Sequence, residues 1–102
     1  MRPVVATSIV DTEPLSLRDL ARAVGAEDRW VAQLVEVEIL HVDTPAEPPD
    51  RWRFRSADLQ RALAARRLER DFGANLDTAA LILDLQQEIR RLHALLDTHG
   101  LA

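Results

Sequence analysis

The stretch LSLRDLARAVGAEDRWVAQLVEVEIL, residues 15–40, decides the architecture of this chain. Ser16, with Asp19 three residues later, has the pattern of a capping box, which places the start of a helix at Ser16. Gly25 ends this helix, because glycine readily adopts the left-handed conformation that closes many helices. The stretch therefore predicts a short first helix followed at once by a tight turn.

A second short helix follows the turn. It begins at Glu27 or Asp28, where an acidic side chain suits the positive end of the helix dipole. Three aliphatic residues recur at the spacing of one helix face and should pack on the core: Val31, Leu34 and Val35. Two helices joined in this way form a helix-turn-helix, whose second helix reads DNA in many proteins. Here the second helix shows acids, a tryptophan and aliphatic residues where a DNA-reading helix shows arginines and hydroxyl groups.

Length and composition narrow the classes of function. The chain has 102 residues, of which 47% are hydrophobic and 29% charged, so we expect one small globular domain without an enclosed cleft between domains. It has no cysteine, so neither disulfides nor thiolate metal sites are expected. The start of the chain is too polar for a signal peptide, and no apolar run is long enough to span a membrane. We therefore expect a cytoplasmic protein.

Two strand-like runs follow the second helix. Ile39–Val42 and Arg51–Phe54 are joined by a proline-rich connector that cannot be helical, so they predict a β-hairpin. Ser56 then caps a third helix, which runs to about Asp71 and has an arginine-rich outer face. Before residue 15, a short first strand or extended arm is expected from four aliphatic residues: Val4, Val5, Ile9 and Val10.

The fourth helix is expected to serve two interfaces. Asn75 caps it, and its apolar pattern continues to about residue 98. One apolar stripe near its start should pack on the domain: Leu76, Ala79, Ala80 and Leu83. A second seam has the 3, 4, 3, 4 spacing of about two heptads and should pair with another chain in a homodimer: Ile82, Leu85, Ile89, Leu92 and Leu96. The alternative is a purely intramolecular helix, since two heptads are a short pattern.

The elements together predict a mostly α-helical fold in three parts: an arm or short strand (1–14), a domain of three helices and a hairpin (15–74), and a C-terminal dimerisation helix (75–102). Their order resembles the MerR-like winged helix-turn-helix superfamily, with the hairpin as a small wing and a long C-terminal amphipathic helix. The run DFGANLDTAALILDLQQEIRRLHALL, residues 71–96, is similar to a pattern shared by the chaperone modulator CbpM family and the heat-shock repressor HspR. Phe72 stands where these relatives usually have leucine.

The second helix distinguishes the two relatives. DNA-binding members of the superfamily typically read Arg-Thr-Leu-Arg-Tyr-Tyr-Glu there, whereas residues 29–35 of this chain read RWVAQLV. Nearby acids would also oppose a polyanion, and phosphate contacts supply much of the affinity for DNA. The resemblance to CbpM implies instead a protein that binds the J-domain of a DnaJ/CbpA-type co-chaperone and inhibits its stimulation of Hsp70 (DnaK). The residues expected at that interface are Asp28, Trp30, Gln33 and Glu36.

Each of these interface residues also has a structural interpretation. Trp30 has the large amphipathic side chain that is frequent at interface hot spots, but ordinary packing against the wing or the first helix would equally explain it. The acids near it, Glu27, Asp28, Glu36 and Glu38, would also suit a solvated helix face that complements the dipole. In CbpM-like proteins a glycine often stands at the exit of the second helix, where this chain has Glu38.

The arginines form the main argument for nucleic acid. Residues 51–70 hold seven arginines and two acids, a net charge of about +5 that leaves about −9 for the rest of the chain. The candidate contacts to nucleic acid or an acidic partner are Arg29, Arg51, Arg53 and Arg55. The alternative function is therefore a MerR-like DNA-binding transcriptional regulator of a heat-shock type operon, although acids in the same hairpin would neutralise part of the patch. A third possibility is a dimeric scaffold that has lost both roles.

No residues in the sequence favour an enzyme. His41, His93 and His99 are scattered, and the last two are six residues apart, which is not the spacing of helical metal ligands. Neither a glycine-rich phosphate loop nor a nucleophile elbow is present. We therefore expect no catalytic residues, no metal, no cofactor and no small-molecule ligand.

Overall fold

The computed structural model describes residues 13–100, so the arm or strand predicted from Val4 to Val10 lies outside the described residues. Within them the chain forms four α-helices in the predicted order. Their bounds are α1 Leu17–Val24, α2 Asp28–Glu36, α3 Ser56–Phe72 and α4 Leu76–Thr98. A short 3₁₀ helix, Pro49–Arg51, lies in the connector between α2 and α3.

The caps predicted for α1 are confirmed. The Ser16 hydroxyl accepts a hydrogen bond from the Asp19 amide (3.1 Å), and the Asp19 carboxylate accepts one from the Ser16 amide (3.3 Å). Gly25 follows the helix with φ = 77°, and its amide donates back to carbonyls of the last turn. Substituting alanine there would force a side chain into the left-handed region, which is why glycine suits this turn.

The later helix starts also follow local sequence. Asn75 caps α4 as predicted, with its side-chain oxygen 2.8 Å from the Thr78 amide. The start of α3 is shifted by one residue, because Arg55 and not Ser56 is the N-cap residue. The Asp58 carboxylate accepts from the Arg55 amide at 2.8 Å and so holds this helix start.

The predicted β-hairpin wing is wrong for the described residues, because Ile39 and Leu40 turn inward at the end of α2 and do not form a strand. Both of their amides donate to the carbonyl of Leu34, at 2.8 and 3.1 Å. Both side chains are buried, whereas adjacent residues of a strand point to opposite faces. Glu38 makes this turn possible with φ = 65°, the one positive φ of a non-glycine residue in the described part of the chain.

The second predicted strand finds a different partner. Phe54 forms an antiparallel bridge with Leu15, in which each amide donates to the other's carbonyl at 2.7 and 2.8 Å. This is the one β-bridge among residues 13–100. Along this segment Trp52 and Phe54 are buried, whereas Arg51, Arg53 and Arg55 are exposed, which is the alternation of an extended chain. An extended segment therefore ties the chain before α1 to the start of α3.

The core lies among α1, α2 and α3, with the first half of α4 packed on α3. Its largest fully buried side chains come from every part of the domain except α3 and α4: Leu20, Val31, Leu34, Ile39, Leu40 and Phe54. α3 contributes the small residues Ala62 and Ala65, both fully buried. Small side chains let the neighbouring segments approach the axis of α3 closely, so both α1 and α4 pack on this helix.

Exchanging Glu38 should have opposite effects depending on the side chain. Glu38→Gly is expected to raise the free energy of unfolding by up to about 1 kcal/mol, because glycine adopts positive φ without strain. Glu38→Val is expected to lower it by about 1 kcal/mol, since a β-branched residue is strongly disfavoured there. Urea unfolding followed by circular dichroism measures both. Equal stability of the two variants would contradict the left-handed conformation at this position.

α4 has two apolar faces, and only one of them is covered in the single chain. Ala79 and Leu83 are buried against the domain, as predicted for the first stripe, with Leu76 and Ala80 partly buried beside them. Of the predicted dimerisation seam, Ile82 is partly buried and the other four residues are exposed. Those four are 41–53% exposed: Leu85, Ile89, Leu92 and Leu96. The helix therefore extends beyond the core with an uncovered apolar seam.

Candidate functional site

The predicted interface residues of α2 do not share one face. Successive residues of an α-helix are about 100° apart, so Asp28 and Trp30 lie about 200° apart around the axis. Gln33 and Glu36 lie between them on the exposed side, together with Arg29. The structure therefore brings Gln33 and Glu36 together with Arg29 and places the other two candidates at opposite edges of the helix.

The exposed face of α2 borders a groove of about 560 Å³. We call it the α2 groove and define it by its lining residues: Arg29, Ala32, Gln33, Val35, Glu36, Pro45 and Trp52. Pro45 comes from the connector and Trp52 from the extended segment before α3, so the groove exists only once these parts have packed on α2. Pro45 and Trp52 were not predicted from the sequence as lining residues of a site on α2.

Trp52 lines this groove, and its indole N–H is both buried and unpaired in the described part of the chain. Its side chain is only 8% exposed, and its indole N–H has no hydrogen-bond acceptor among the described residues. Most buried polar groups in proteins have a partner, because leaving one unpaired is costly. The N–H of Trp52 is therefore an exception among the buried polar side-chain groups of the described residues.

Trp30 is held by contacts within the chain. Its indole N–H donates to the Glu69 carboxylate at 3.0 Å, and the Arg66 guanidinium lies over the ring, 5.7 Å from its centroid. Arg66 also donates to the Gly25 carbonyl at 3.1 Å. Trp30 thus contacts α3 and packs against the hydrophobic core. Because the side chain joins α2 to α3, replacing it would disturb the domain as well as any interface.

Asp28 lies at the other edge of α2 and forms an exposed ion pair with Arg18 of α1, with 3.6 Å between carboxylate and guanidinium. Exposed pairs of this kind contribute little to stability, because water screens them. The side chain remains about half exposed. Asp28 is therefore available to a partner, but on a different surface from the α2 groove.

The candidate arginines are all exposed. Arg29 lies within 4.0 Å of Glu27, and both side chains are more than four-fifths exposed. Arg53 donates to the carbonyls of Asp50 (3.3 Å) and Trp52 (2.8 Å), so backbone contacts fix its position. In the described part of the chain, no ion pair involves Arg51, Arg53 or Arg55. The expected neutralisation of this patch by hairpin acids is thus not seen as direct ion pairs.

Arg61 is a structural residue that the sequence did not indicate. Its Nε donates to the Ile39 carbonyl at 2.6 Å, and another guanidinium nitrogen lies 2.9 Å from the Asp84 carboxylate. The side chain is 20% exposed, so these hydrogen bonds are partly shielded from water. Arg61 therefore joins α3, the turn after α2 and α4 at one point.

Removing Arg61 should loosen this junction. Arg61→Ala is expected to lower the free energy of unfolding by about 1–2 kcal/mol, since it leaves the Ile39 carbonyl and the Asp84 carboxylate without their donor. Thermal and urea unfolding provide the measurement. Arg67→Ala is the matched control, because Arg67 is exposed on the same helix and should change stability by less than about 0.5 kcal/mol. Equal losses for the two variants would rule out the bridging role.

The exposed half of α4 carries charges of both signs beside its apolar seam. Glu88 and Arg91 pair through two hydrogen bonds, one of them 3.1 Å long. Arg91, by donating to the carboxylate, holds the pKa of Glu88 below its ordinary value. Both groups are exposed, so the pair leaves the adjacent leucines uncovered.

Two further features are absent from residues 13–100. No cluster of three or more histidine, aspartate or glutamate side chains has metal-binding geometry there. No helix in this range is both long and apolar enough to cross a bilayer.

Comparison with known proteins identifies the family. The family model described as MerR HTH family regulatory protein matches residues 15–98, from the bridge residue Leu15 to the end of α4. No curated protein and no solved structure gives a significant match. The match spans both helices of the helix-turn-helix, the α2 groove and the long C-terminal helix, so the chain belongs to the MerR helix-turn-helix family of regulatory proteins.

Proposed function

We propose that this protein is a chaperone modulator of the CbpM type, which binds the J-domain of a DnaJ/CbpA-like co-chaperone and inhibits its stimulation of Hsp70 (DnaK). The observation that carries the proposal is the exposed face of α2. That face presents Ala32, Gln33 and Glu36 beside an apolar groove, with Arg29 as its one basic residue. Such a face suits a protein surface better than a polyanion.

Electrostatics supports a protein partner. Three acids at or near the ends of α2 are exposed: Glu27, Glu36 and Glu38. Opposite a phosphate backbone they would oppose binding, because neutralising phosphates supplies most of the non-specific affinity for DNA. Opposite a helical module with a basic helix, such as a J-domain, the same acids would speed encounter and favour the correct orientation. Inhibition would then follow from occlusion of the J-domain surface that Hsp70 needs, with no catalytic step or cofactor.

The proposal includes a homodimer formed through α4. Its seam, Leu85 to Leu96, is exposed in the single chain, and heptad-spaced leucines of this kind are usually covered by another helix. Dimerisation would leave α2 free, because the seam lies beyond the part of α4 that packs on the domain. Each dimer would then present two copies of the exposed α2 face.

The decisive experiment combines a binding and a functional measurement. The purified protein is titrated by calorimetry against a J-domain fragment, and the J-domain-stimulated ATPase rate of Hsp70 is measured with and without it. Saturable binding together with loss of stimulation is the expected result. Binding without loss of stimulation would contradict inhibition, and absence of binding would contradict the J-domain as partner.

A second candidate function is DNA binding by a transcriptional regulator. Two observations favour it. Arg53 and Arg55 are exposed and form no ion pair among the described residues, and the chain belongs to a family of regulatory proteins. The test is a titration with duplex DNA from the gene's upstream region at about 50 and 200 mM salt. Sequence-specific binding that falls steeply with salt and is weakened by Arg53→Ala would favour the regulator. Under the modulator hypothesis we expect no sequence-specific complex.

A further inference from the structure

The α2 groove has the lining of a site for an apolar side chain, and its volume of about 560 Å³ leaves ample room for one. Ala32 and Val35 from α2 form one wall, and Pro45 and Trp52 come from the segments opposite. These four side chains are apolar or largely so, while the charged and amide groups of the lining come from α2 alone. An aliphatic or aromatic side chain placed there would be removed from water on both sides.

The two tryptophans of the domain lie in different surroundings. The indole of Trp52 is more than nine-tenths buried, and its nitrogen is unpaired in the described residues. Trp30, by contrast, already donates to Glu69. Trp52 lines the α2 groove and Trp30 does not, so an occupant of the groove would change the surroundings of the Trp52 indole and leave those of Trp30 unchanged.

The rim of the groove has opposite charges at its two ends. Arg29 and Glu36 are seven residues apart on α2, which separates them by about 10 Å, or two helical turns. A partner helix lying along α2 would complement both if it carried an acid and a base two turns apart, with its apolar residue between them. A uniformly negative phosphate backbone would complement Arg29 but would be repelled by Glu36.

We propose that the α2 groove receives one apolar side chain from an α-helix of a protein partner, flanked by an acid that faces Arg29 and a base that faces Glu36. The identification of that partner as a J-domain rests on the proposed function, whereas the chemistry of the groove does not. The prediction differs from one centred on Trp30, because the buried anchor contact is with Trp52.

The indole N–H groups of the two tryptophans give a direct readout. In an ¹⁵N-labelled sample each produces its own NMR cross-peak, and Trp30→Phe assigns them by removing one. The full chain is titrated with a J-domain fragment and with a helical peptide that carries Glu, Leu and Arg at positions i, i+3 and i+7. A peptide with Ser in place of that Leu is the control. The Trp52 cross-peak is expected to shift with the J-domain and the Leu peptide, while the Trp30 cross-peak stays in place.

Matched variants test the charge at the rim of the groove and its apolar interior. Glu36→Arg is expected to weaken J-domain binding by about tenfold or more, and Glu38→Arg, the same charge change outside the groove, by about twofold or less. Ala32→Leu fills the groove and should weaken binding similarly. Ala23→Leu is its control, because Ala23 is exposed on α1 and does not line the groove.

The outcomes separate this inference from the proposed function. If the J-domain binds but moves Trp30 or neither indole, the groove is not its site and the inference is overturned while the modulator function stands. If the J-domain does not bind but the Leu peptide shifts Trp52 and the Ser peptide does not, the inference stands and the J-domain is the wrong partner. If neither J-domain nor Leu peptide shifts Trp52, or if duplex DNA does so, the inference is overturned.

Discussion

Replacing Phe54 with alanine is expected to lower the free energy of unfolding by about 3–5 kcal/mol, the usual cost of removing a buried phenylalanine ring. Phe54 is 0% exposed and is among the largest fully buried side chains of the domain. Its backbone also bridges Leu15, so the cavity would open where the chain before α1 meets the start of α3. A domain of this size is commonly stable by only about 5–15 kcal/mol, so this single exchange should remove a large part of its stability.

The measurement is urea unfolding followed by far-ultraviolet circular dichroism, with Phe72→Ala as the matched control. Phe72 is 76% exposed at the end of α3, so the same exchange should change the free energy of unfolding by less than about 0.5 kcal/mol. A loss below about 1 kcal/mol for Phe54→Ala would show that the ring is not a core residue.

Replacing Leu85 and Leu92 together with glutamate is expected to weaken the proposed homodimer by about 100-fold or more. The two residues are about half exposed in the single chain and lie on the same seam of α4. In a paired helix they would be buried, and a charged group without a partner at such a position is strongly unfavourable. The fold of each protomer should remain, because neither side chain belongs to the core.

Sedimentation equilibrium over a range of protein concentrations measures the dimer dissociation constant. Gln87→Glu is the control, since Gln87 is exposed on α4 but lies about 200° around the helix from Leu85. This variant should dimerise like the unaltered protein. If the unaltered protein is a monomer at about 100 μM, the seam does not mediate a homodimer at concentrations where such helices usually pair.

The helices could be predicted from the sequence because their signals are local. Ser16 with Asp19, Gly25 and Asn75 each act within a few residues of their own position, and the structure places the caps there. The hairpin could not be predicted correctly, because the strand-like run at Ile39 is equally compatible with a turn into the core. The conformation of this run depends on hydrogen bonds from the amides of Ile39 and Leu40 to the Leu34 carbonyl, and on space for both side chains beneath α2. Only the folded domain defines that space.

The candidate functional site was likewise only partly predictable from the sequence. The sequence indicated α2 as the functional helix and named Gln33 and Glu36, which do lie on the exposed face beside the groove. It also named Trp30, whose contacts to Glu69 and Arg66 join residues far apart along the chain. The position of Trp52 in the groove could not be predicted from the residues around it. The other side of the groove is formed by α2, which comes many residues earlier in the chain.

Local signals in the sequence predict the order of the four helices, the caps of α1 and α4, and the two-sided apolar pattern of α4, because helix caps and periodicity are properties of neighbouring residues. Three features depend on folding of the whole domain: Phe54 pairs with Leu15, α3 holds Trp30, and the α2 groove forms beside Trp52. These features arise from contacts between segments distant along the chain. Their partners are selected by packing and by hydrogen bonds that exist only after the helices have assembled.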